Sequence, residues 1–308
     1  MTSAGWKDGD GGKEKDTVES YEARVHSAFG GMKPDVRNPK VLAWLIRRNG
    51  LEMTHLSRGS HIGSIFSVAE ILAVLYTSVL KVDPSNPAWP ERDRLILSKG
   101  HAGSAVYSAL AETGFFPVEE LKEHYANGSR LSGHVSHKGV PGVEVSAGAL
   151  GHGLAIGTGL ALGAKMDGES WRTCVVLGDG ECDEGAVWES ALQAAQYGLD
   201  RLIAVVDYNH MQSLDFVDRT LRLEPFEAKW KDFGWNAESC DGHDPKALKD
   251  AFDHAWANAG SGKPSVILAH TVKGKGVSFM ENNILWHYRT PQGEEYEDAL
   301  RELEAQRP

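Results

Sequence analysis

The first residues with chemical potential lie in the stretch VVLGDGECDEG, residues 175–185. An apolar run ends in Gly178-Asp179-Gly180, followed closely by Glu181, Asp183 and Glu184. A second apolar run, RLIAVVDYN, ends at Asn209, thirty residues after Asp179. If both runs are neighbouring parallel strands, Asp179 and Asn209 face one crevice beyond their carboxyl ends, where open parallel sheets bind ligands. Each offers an oxygen, and Mg2+ takes oxygen ligands while sharing its shell with phosphates. The flanking glycines admit a close anion, and a helix starting near Glu184 presents its N-terminus to one. So the spacing suits a cation that holds a diphosphate. It also suits an ordinary glycine turn and an asparagine cap, and spacing alone leaves both open. A dinucleotide fingerprint is excluded, because its third glycine would fall on Asp183.

Histidines are the second group. There are 13, and His101, His134, His152 and His243 directly follow glycine. Imidazole exchanges a proton near neutral pH, so a cluster of them would serve acid–base chemistry. A single Gly-His in a loop is more often polar surface. Lys99, Lys273 and Lys275 suit either phosphate contact or plain solvation.

These residues need a frame. Residues 173–179 and 201–209 read as buried strands, and 184–199 between them as a helix, giving a right-handed βαβ unit. Residues 94–101 and 265–271 read as further strands. Helices are expected at 39–59, 67–80, 101–114, 118–126, 150–166 and 245–258. Ser67 and Glu70 read as a capping box. The alternation predicts an α/β fold, a doubly wound parallel sheet with helices on both faces. Residues 1–38 are expected to be largely disordered or extended, 39–290 to form one domain, and 291–308 a C-terminal helical tail.

The formal net charge of −11 argues against a nucleic-acid partner. Three cysteines without a CxxC pair fit a reduced, cytoplasmic protein. Residues 145–164 are uncharged and long enough for a membrane span, but six are glycine, so a buried helix with close backbone contacts is expected and no membrane partner.

The sequence GDGECDEGAVWESALQAAQYGLDRLIAVVDYNHMQS closely resembles transketolases. So do, in order, SRGSHIGSIFSVAEILAVLY, RDRLILSKGHAGSAVYSAL, SGHVSHKGVPGVEVSAGALGHGLAIGTGLALGAK and KGKGVSFMENNILWHY, together covering roughly residues 40–290. The resemblance implies the thiamine-diphosphate-binding fold, thiamine diphosphate and Mg2+ as cofactors, and transfer of a two-carbon ketol unit from a ketose phosphate donor to an aldehyde acceptor. It implies that Asp179, Asn209 and the Met211 carbonyl bind Mg2+. Gly178, Gly180 and Glu181, with Gly148, Ala149 and Leu150, would lie along the cofactor, and His101 near the diphosphate. His61, His134 and His287 would line the substrate channel. Glu184 would link across the interface between subunits to the partner's cofactor-activating glutamate. His137 and His152 stand close enough to compete for such roles.

At 308 residues the chain is shorter than full transketolases, and it is expected to lack their pyrimidine-binding and C-terminal domains. It therefore resembles the N-terminal subunit of a split transketolase, with a C-terminal subunit completing the site in an α2β2 assembly. Tyr288 stands after His287 where the family commonly has glycine. A deoxyxylulose-phosphate synthase, a 2-oxoacid dehydrogenase component, a silent scaffolding homologue and a transketolase with a specialised acceptor remain alternatives at this level.

Overall fold

The computed structural model describes residues 20–30 and 32–308. Its centre is one parallel sheet of five strands: β1 (Arg94–Leu97), β2 (Thr173–Gly178), β3 (Leu202–Tyr208), β4 (Asn236–Asp241) and β5 (Ser265–His270). Their spatial order is β1-β2-β3-β5-β4. The two strands that carry Asp179 and Asn209 are neighbours, in register from Thr173↔Leu202 to Gly178↔Asp207.

Strand alternation sends side chains to two cores. Leu95, Cys174, Val176, Ile203, Val205 and Ile267 pack with the helices Pro39–Ser57, Gly103–Glu112, Pro245–Ala257 and Glu294–Ala305. Ile96, Val175, Leu177, Ala204, Val206 and Leu268 pack with His152–Asp167, Gly185–Gln196 and Phe226–Asp232. Both faces are covered, as the near-continuous apolar strands require. Each buried aliphatic side chain contributes about 1.5–3 kcal/mol by leaving water.

The Gly/Ala-rich stretch becomes the His152–Asp167 helix. Its glycines face two environments. A Cβ on Gly157 would stand 2.4 Å from Val175, and one on Gly153 2.3 Å from Ser98. Those two let the helix lie on β1 and β2. Gly159 and Gly163 meet nothing within 4 Å. Among the described residues no helix is long and apolar enough to cross a membrane.

Several expectations change. Ser67 and Glu70 form no capping box. Ser67 ends the short helix Ile62–Ser67 and its hydroxyl donates to Asp207 at 2.5 Å, while Glu70 pairs with Arg47. Residues expected as a helix at 118–126 form a 3-10 turn, Val118–Glu123. The first strand stops at Leu97, leaving Gly100–Ala102 as a tight turn. The edge strand β4 was not expected, because NAESCD has no apolar alternation. Tyr21–His26 is helical, inside the segment expected to be extended, and its buried Tyr21 and Val25 anchor it. Residues 1–19 of that segment lie outside the described residues. The Glu294–Ala305 helix packs Ala299 and Leu303 into the first core.

Candidate active site

The carboxyl ends of β1, β2, β3 and β5 open into one cleft with about 780 Å³ of empty space, part of it open to solvent. At its floor, β2 delivers Gly178 and Asp179. Asp179 is 2 % exposed. Its Oδ1 accepts from the Gly180 amide at 2.8 Å, and its Oδ2 accepts from the His210 amide. Burial and the nearby Asp207 carboxylate push Asp179 up to about 7, beyond what the two amides relieve. Asn209 follows β3; its Oδ1 accepts from the Met211 amide at 3.1 Å and its amide donates to Asp207 at 3.4 Å. The Met211 carbonyl accepts from Lys273 Nζ at 3.4 Å.

A carboxylate, a side-chain amide oxygen and a backbone carbonyl thus belong to three residues that line one cleft. Among the described residues no group of three or more His, Cys, Asp or Glu is arranged for a metal. The donors present are oxygens only, which fit a hard divalent cation that completes its shell from a ligand. Lys273 only partly offsets the burial and the Asp207 charge that raise Asp179, and such a cation would supply further positive charge.

Below this floor Lys99 and Asp207, 1 % and 0 % exposed, make a buried ion pair. Asp207 also accepts from the hydroxyls of Ser67 and Thr271. Burial opposes the Asp207 charge, but Lys99 and these donors outweigh it and hold the carboxyl below its ordinary value. Lys273, 2 % exposed, reaches Gln212 O at 3.2 Å and His287 Nδ1 at 2.8 Å. Burial and the Lys99 charge bring its ammonium down to about 8. Lys99 and Lys273 both line the cleft and give it the cationic side chains that suit an anion.

Four histidines also line the cleft. His61 centres the group, with ring centroids 5.1 Å from His101, 5.6 Å from His134 and 5.0 Å from His287. His61 precedes the Ile62–Ser67 helix at φ 74°, a left-handed conformation that favours glycine, and its amide donates to His287 O at 2.8 Å. His101 Nε2 lies 3.1 Å from Ser64 Oγ. The ammonium of Lys273 can only donate, so His287 Nδ1 accepts and its proton sits on Nε2. His61 Nδ1 is buried without a partner. Burial, with His134 and Lys273 beside it, lowers His61 to about 4; burial, Lys273 and His61 lower His287 to about 3. Burial and Lys99 hold His101 well below its ordinary value. At neutral pH these three rings are uncharged bases.

The cleft brings together most of the residues singled out from the sequence: His61, His101, His134, His287, Gly148, Leu150, Gly178, Asp179, Gly180, Glu181, Asn209 and Met211. Glu181 lines it, but its carboxylate is occupied, accepting from the Gly178 amide at 3.0 Å, the Gly151 amide at 2.9 Å and Ser98 Oγ. It braces β1, the GDG turn and the 148–151 segment. Ala149 and Glu184 are exposed and outside the lining. Glu184 abuts Gly151, where an added Cβ would stand 2.7 Å from its own. His152 bonds to Leu150 O and His137 to Ser146 Oγ; neither lines the cleft. Lys275 lies outside it, 3.5 Å from Glu281. Sequence reading did not single out Ser64, Asp207, Gln212 or Ser213. For Asp207 a signal existed, namely a charge at the end of an otherwise apolar strand; Ser64 falls between the two helices expected at 39–59 and 67–80 and gave none.

A family model described as transketolase, thiamine diphosphate binding domain, matches residues 40–303. The chain is 42 % identical over 260 residues to the 6-deoxy-6-sulfo-D-fructose transketolase subunit SqwG of a Clostridium species, covering 84 % of this chain and 94 % of that protein. It is 44 % identical over 246 residues to one of the apulose-4-phosphate transketolase subunits of Actinobacillus succinogenes, covering 80 % of this chain and 88 % of that protein. The crystal structure of transketolase from Campylobacter jejuni superposes with a TM-score of 0.80 at 29 % identity, over 88 % of this chain and 43 % of that one. The chain therefore spans less than half the length of that transketolase.

Proposed function

The chain belongs to the transketolase family through its thiamine diphosphate-binding domain, and from that premise we propose that it is the N-terminal subunit of a two-chain transketolase. The enzyme depends on thiamine diphosphate and Mg2+. It transfers a two-carbon ketol unit from a ketose phosphate to an aldehyde acceptor. The observation that carries this reading is one cleft lined together by oxygen donors, two lysines and four histidines, with Lys273 Nζ 2.8 Å from His287 Nδ1.

When bound, thiamine diphosphate supplies the carbanion and the electron sink. The chain supplies the rest. Asp179, Asn209 and the Met211 carbonyl hold Mg2+. Lys273 and His101 meet the anionic end of the cofactor, and Gly178, Gly180, Gly148, Ala149 and Leu150 give its atoms room along the backbone. His61, His134 and His287 exchange protons with substrate hydroxyl and carbonyl oxygens. His61 and His287 start as neutral bases. Burial is the main cause of their lowering; a diphosphate near Lys273 and Lys99 would offset the smaller part that those charges add.

Residues 39–290 form the diphosphate- and Mg2+-binding domain, with 291–308 as its tail. A C-terminal subunit bearing the pyrimidine-binding domain completes the site, in an α2β2 assembly. The relatives named as subunits support this, and the exposure of Glu184 beside Gly151 suits a contact across that interface. Three free thiols support a reducing compartment, the cytoplasm. A second reading keeps the chemistry and changes the substrate. The two relatives are named for sulfofructose and apulose 4-phosphate, which favours a specialised pathway here as well. Titrating Mg2+ and thiamine diphosphate into wild-type and Asp179→Ala protein tests the site. Loss of Mg2+-dependent binding is expected, and retained affinity overturns the assignment.

A further inference from the structure

We propose that His243 is a positioning residue that holds the turn carrying Lys273, so that the Lys273 ammonium stays aimed into the cleft. His243 is outside the cleft lining, and nothing in the mechanism above uses it. The inference rests on reading that cleft as a diphosphate site.

The geometry begins at the edge of the sheet. β4 ends at Asp241, and the chain turns at Gly242, whose amide donates to His270 O at 2.8 Å. An added Cβ at Gly242 would lie 2.4 Å from the Thr271 side chain, so only glycine allows this approach. The His243 amide donates to Asp241 Oδ1 at 2.8 Å. The ring then spans two elements. Its Nε2 accepts from the Val272 amide at 2.8 Å, and its Nδ1 lies 2.9 Å from Glu70 Oε2. A backbone N–H can only donate, so Nε2 is bare and Nδ1 carries the proton that it donates to Glu70. The tautomer is thus fixed by its neighbours.

Glu70 is itself fixed. Its two oxygens accept from Arg47 Nη1 at 2.6 Å and Nη2 at 2.5 Å, and Arg47 Nη2 also donates to Phe66 O. Burial alone would raise this carboxyl; Arg47 and His243 outweigh it and bring it to about 2. The chain Arg47–Glu70–His243 therefore presents one oriented acceptor to an amide that β5, ending at His270, leaves without a sheet partner. On the far side of the turn, the Gly274 amide donates to Gly63 O at 3.0 Å and Lys273 O accepts from Asn282 at 2.9 Å. Thr271 is held by its amide on Tyr208 O at 3.1 Å and by its hydroxyl on Asp207, and His243 supplies a further pin one residue before Lys273.

Two readouts test this on the full chain. The first is amide hydrogen exchange at 272–275 without ligand. The second is affinity for Mg2+-pyrophosphate, in wild-type and Lys273→Ala backgrounds. His243→Asn keeps a donor for Glu70 but is too short to reach Val272; His243→Gln reaches it with an acceptor. The asparagine variant should exchange these amides about tenfold faster and weaken pyrophosphate binding about tenfold, the effect of a hydrogen bond near 1.4 kcal/mol. The glutamine variant should recover most of both. In the Lys273→Ala background the asparagine change should alter affinity less than twofold. His243→Leu, which fills the space without an acceptor, serves if the asparagine variant does not fold. Wild-type exchange rates in the asparagine or leucine variant, or an equal loss of affinity with and without Lys273, overturn the proposal. If wild-type protein fails to bind pyrophosphate, the site reading fails, and the clamp is judged on exchange alone.

Discussion

Replacing Asp179 by asparagine should make the ligand-free protein more stable and the ligand-bound protein less so. Burial and Asp207 raise this carboxyl from 3.8 to about 7. At about 1.36 kcal/mol per pH unit, holding it ionised at pH 8 costs the fold roughly 4 kcal/mol. The sign follows from proton binding. Between pH 4 and 7 the folded chain holds a proton that the unfolded chain has released, so this group lowers stability as pH rises and is flat above 7. Asparagine removes the charge at nearly the same volume. However, its NH2 must face one of the two amides, Gly180 or His210, that the carboxylate accepts from. That conflict costs about 1–3 kcal/mol. The net gain is about 1–3 kcal/mol. With an unfolding entropy near 2.1 cal/mol/K per residue over 308 residues, Tm at pH 8 should rise by about 2–5 °C. The advantage should shrink as pH falls from 7 towards 4. With Mg2+ and thiamine diphosphate at a thousand times Kd, wild type gains about 4.1 kcal/mol and the variant gains nothing, so the order inverts. Scanning calorimetry at pH 5, 6.5 and 8, with and without ligands, reads all of this. A variant less stable than wild type at pH 8 without ligand, or one that keeps the ligand-dependent rise, refutes the reasoning.

Three further outcomes are expected. Lys99→Met leaves Asp207 buried without its partner and should cost about 3–5 kcal/mol in denaturant melts, with the double variant Lys99→Met/Asp207→Asn recovering more than half; equal losses would deny a coupled pair. Asp207 is lowered in the fold, so its stabilising contribution is present above its unfolded value of 3.8 and is lost as pH falls further. His61 and His287 are lowered to about 4 and about 3, so the unfolded chain takes up protons below 6.5 that the folded chain refuses, and stability should fall from pH 6.5 towards 4; His287→Gln should flatten that slope, and an unchanged slope would remove His287 from the explanation. Gly153→Ala places a methyl 2.3 Å from Ser98 and should cost about 1–3 kcal/mol by forcing the helix off β1, whereas Gly163→Ala, facing open space, should be neutral or slightly stabilising.

The legible parts of this protein were those with local signals. Buried parallel strands are apolar throughout, so β2, β3 and β5 stood out, and the GDG turn marked where one ended. The histidines were legible through the motifs around them, and the fold brings His61, His101, His134 and His287 within 6 Å of a neighbour's ring centroid. What stayed hidden depends on contacts between distant segments. β4 is half-exposed and polar, and is a strand because β5 offers it an edge. Ser67 and Glu70 had the spacing of a capping box, but Asp207 and Arg47, 140 and 23 residues away in sequence, claimed their side chains. Lys99 and Lys273 could have been solvated on spacing alone. Only the fold shows that one sits under the cleft floor on Asp207 and the other points into the cleft.

The central claim is that this chain builds one half of a thiamine diphosphate site that a second chain completes. Native mass of the protein purified from its source, with Mg2+ and thiamine diphosphate present, tests it most directly. The account predicts equal numbers of this chain and a second, bound cofactor, and ketol transfer from a ketose phosphate by that assembly. A homo-oligomer of this chain alone that binds the cofactor and performs the transfer would contradict it.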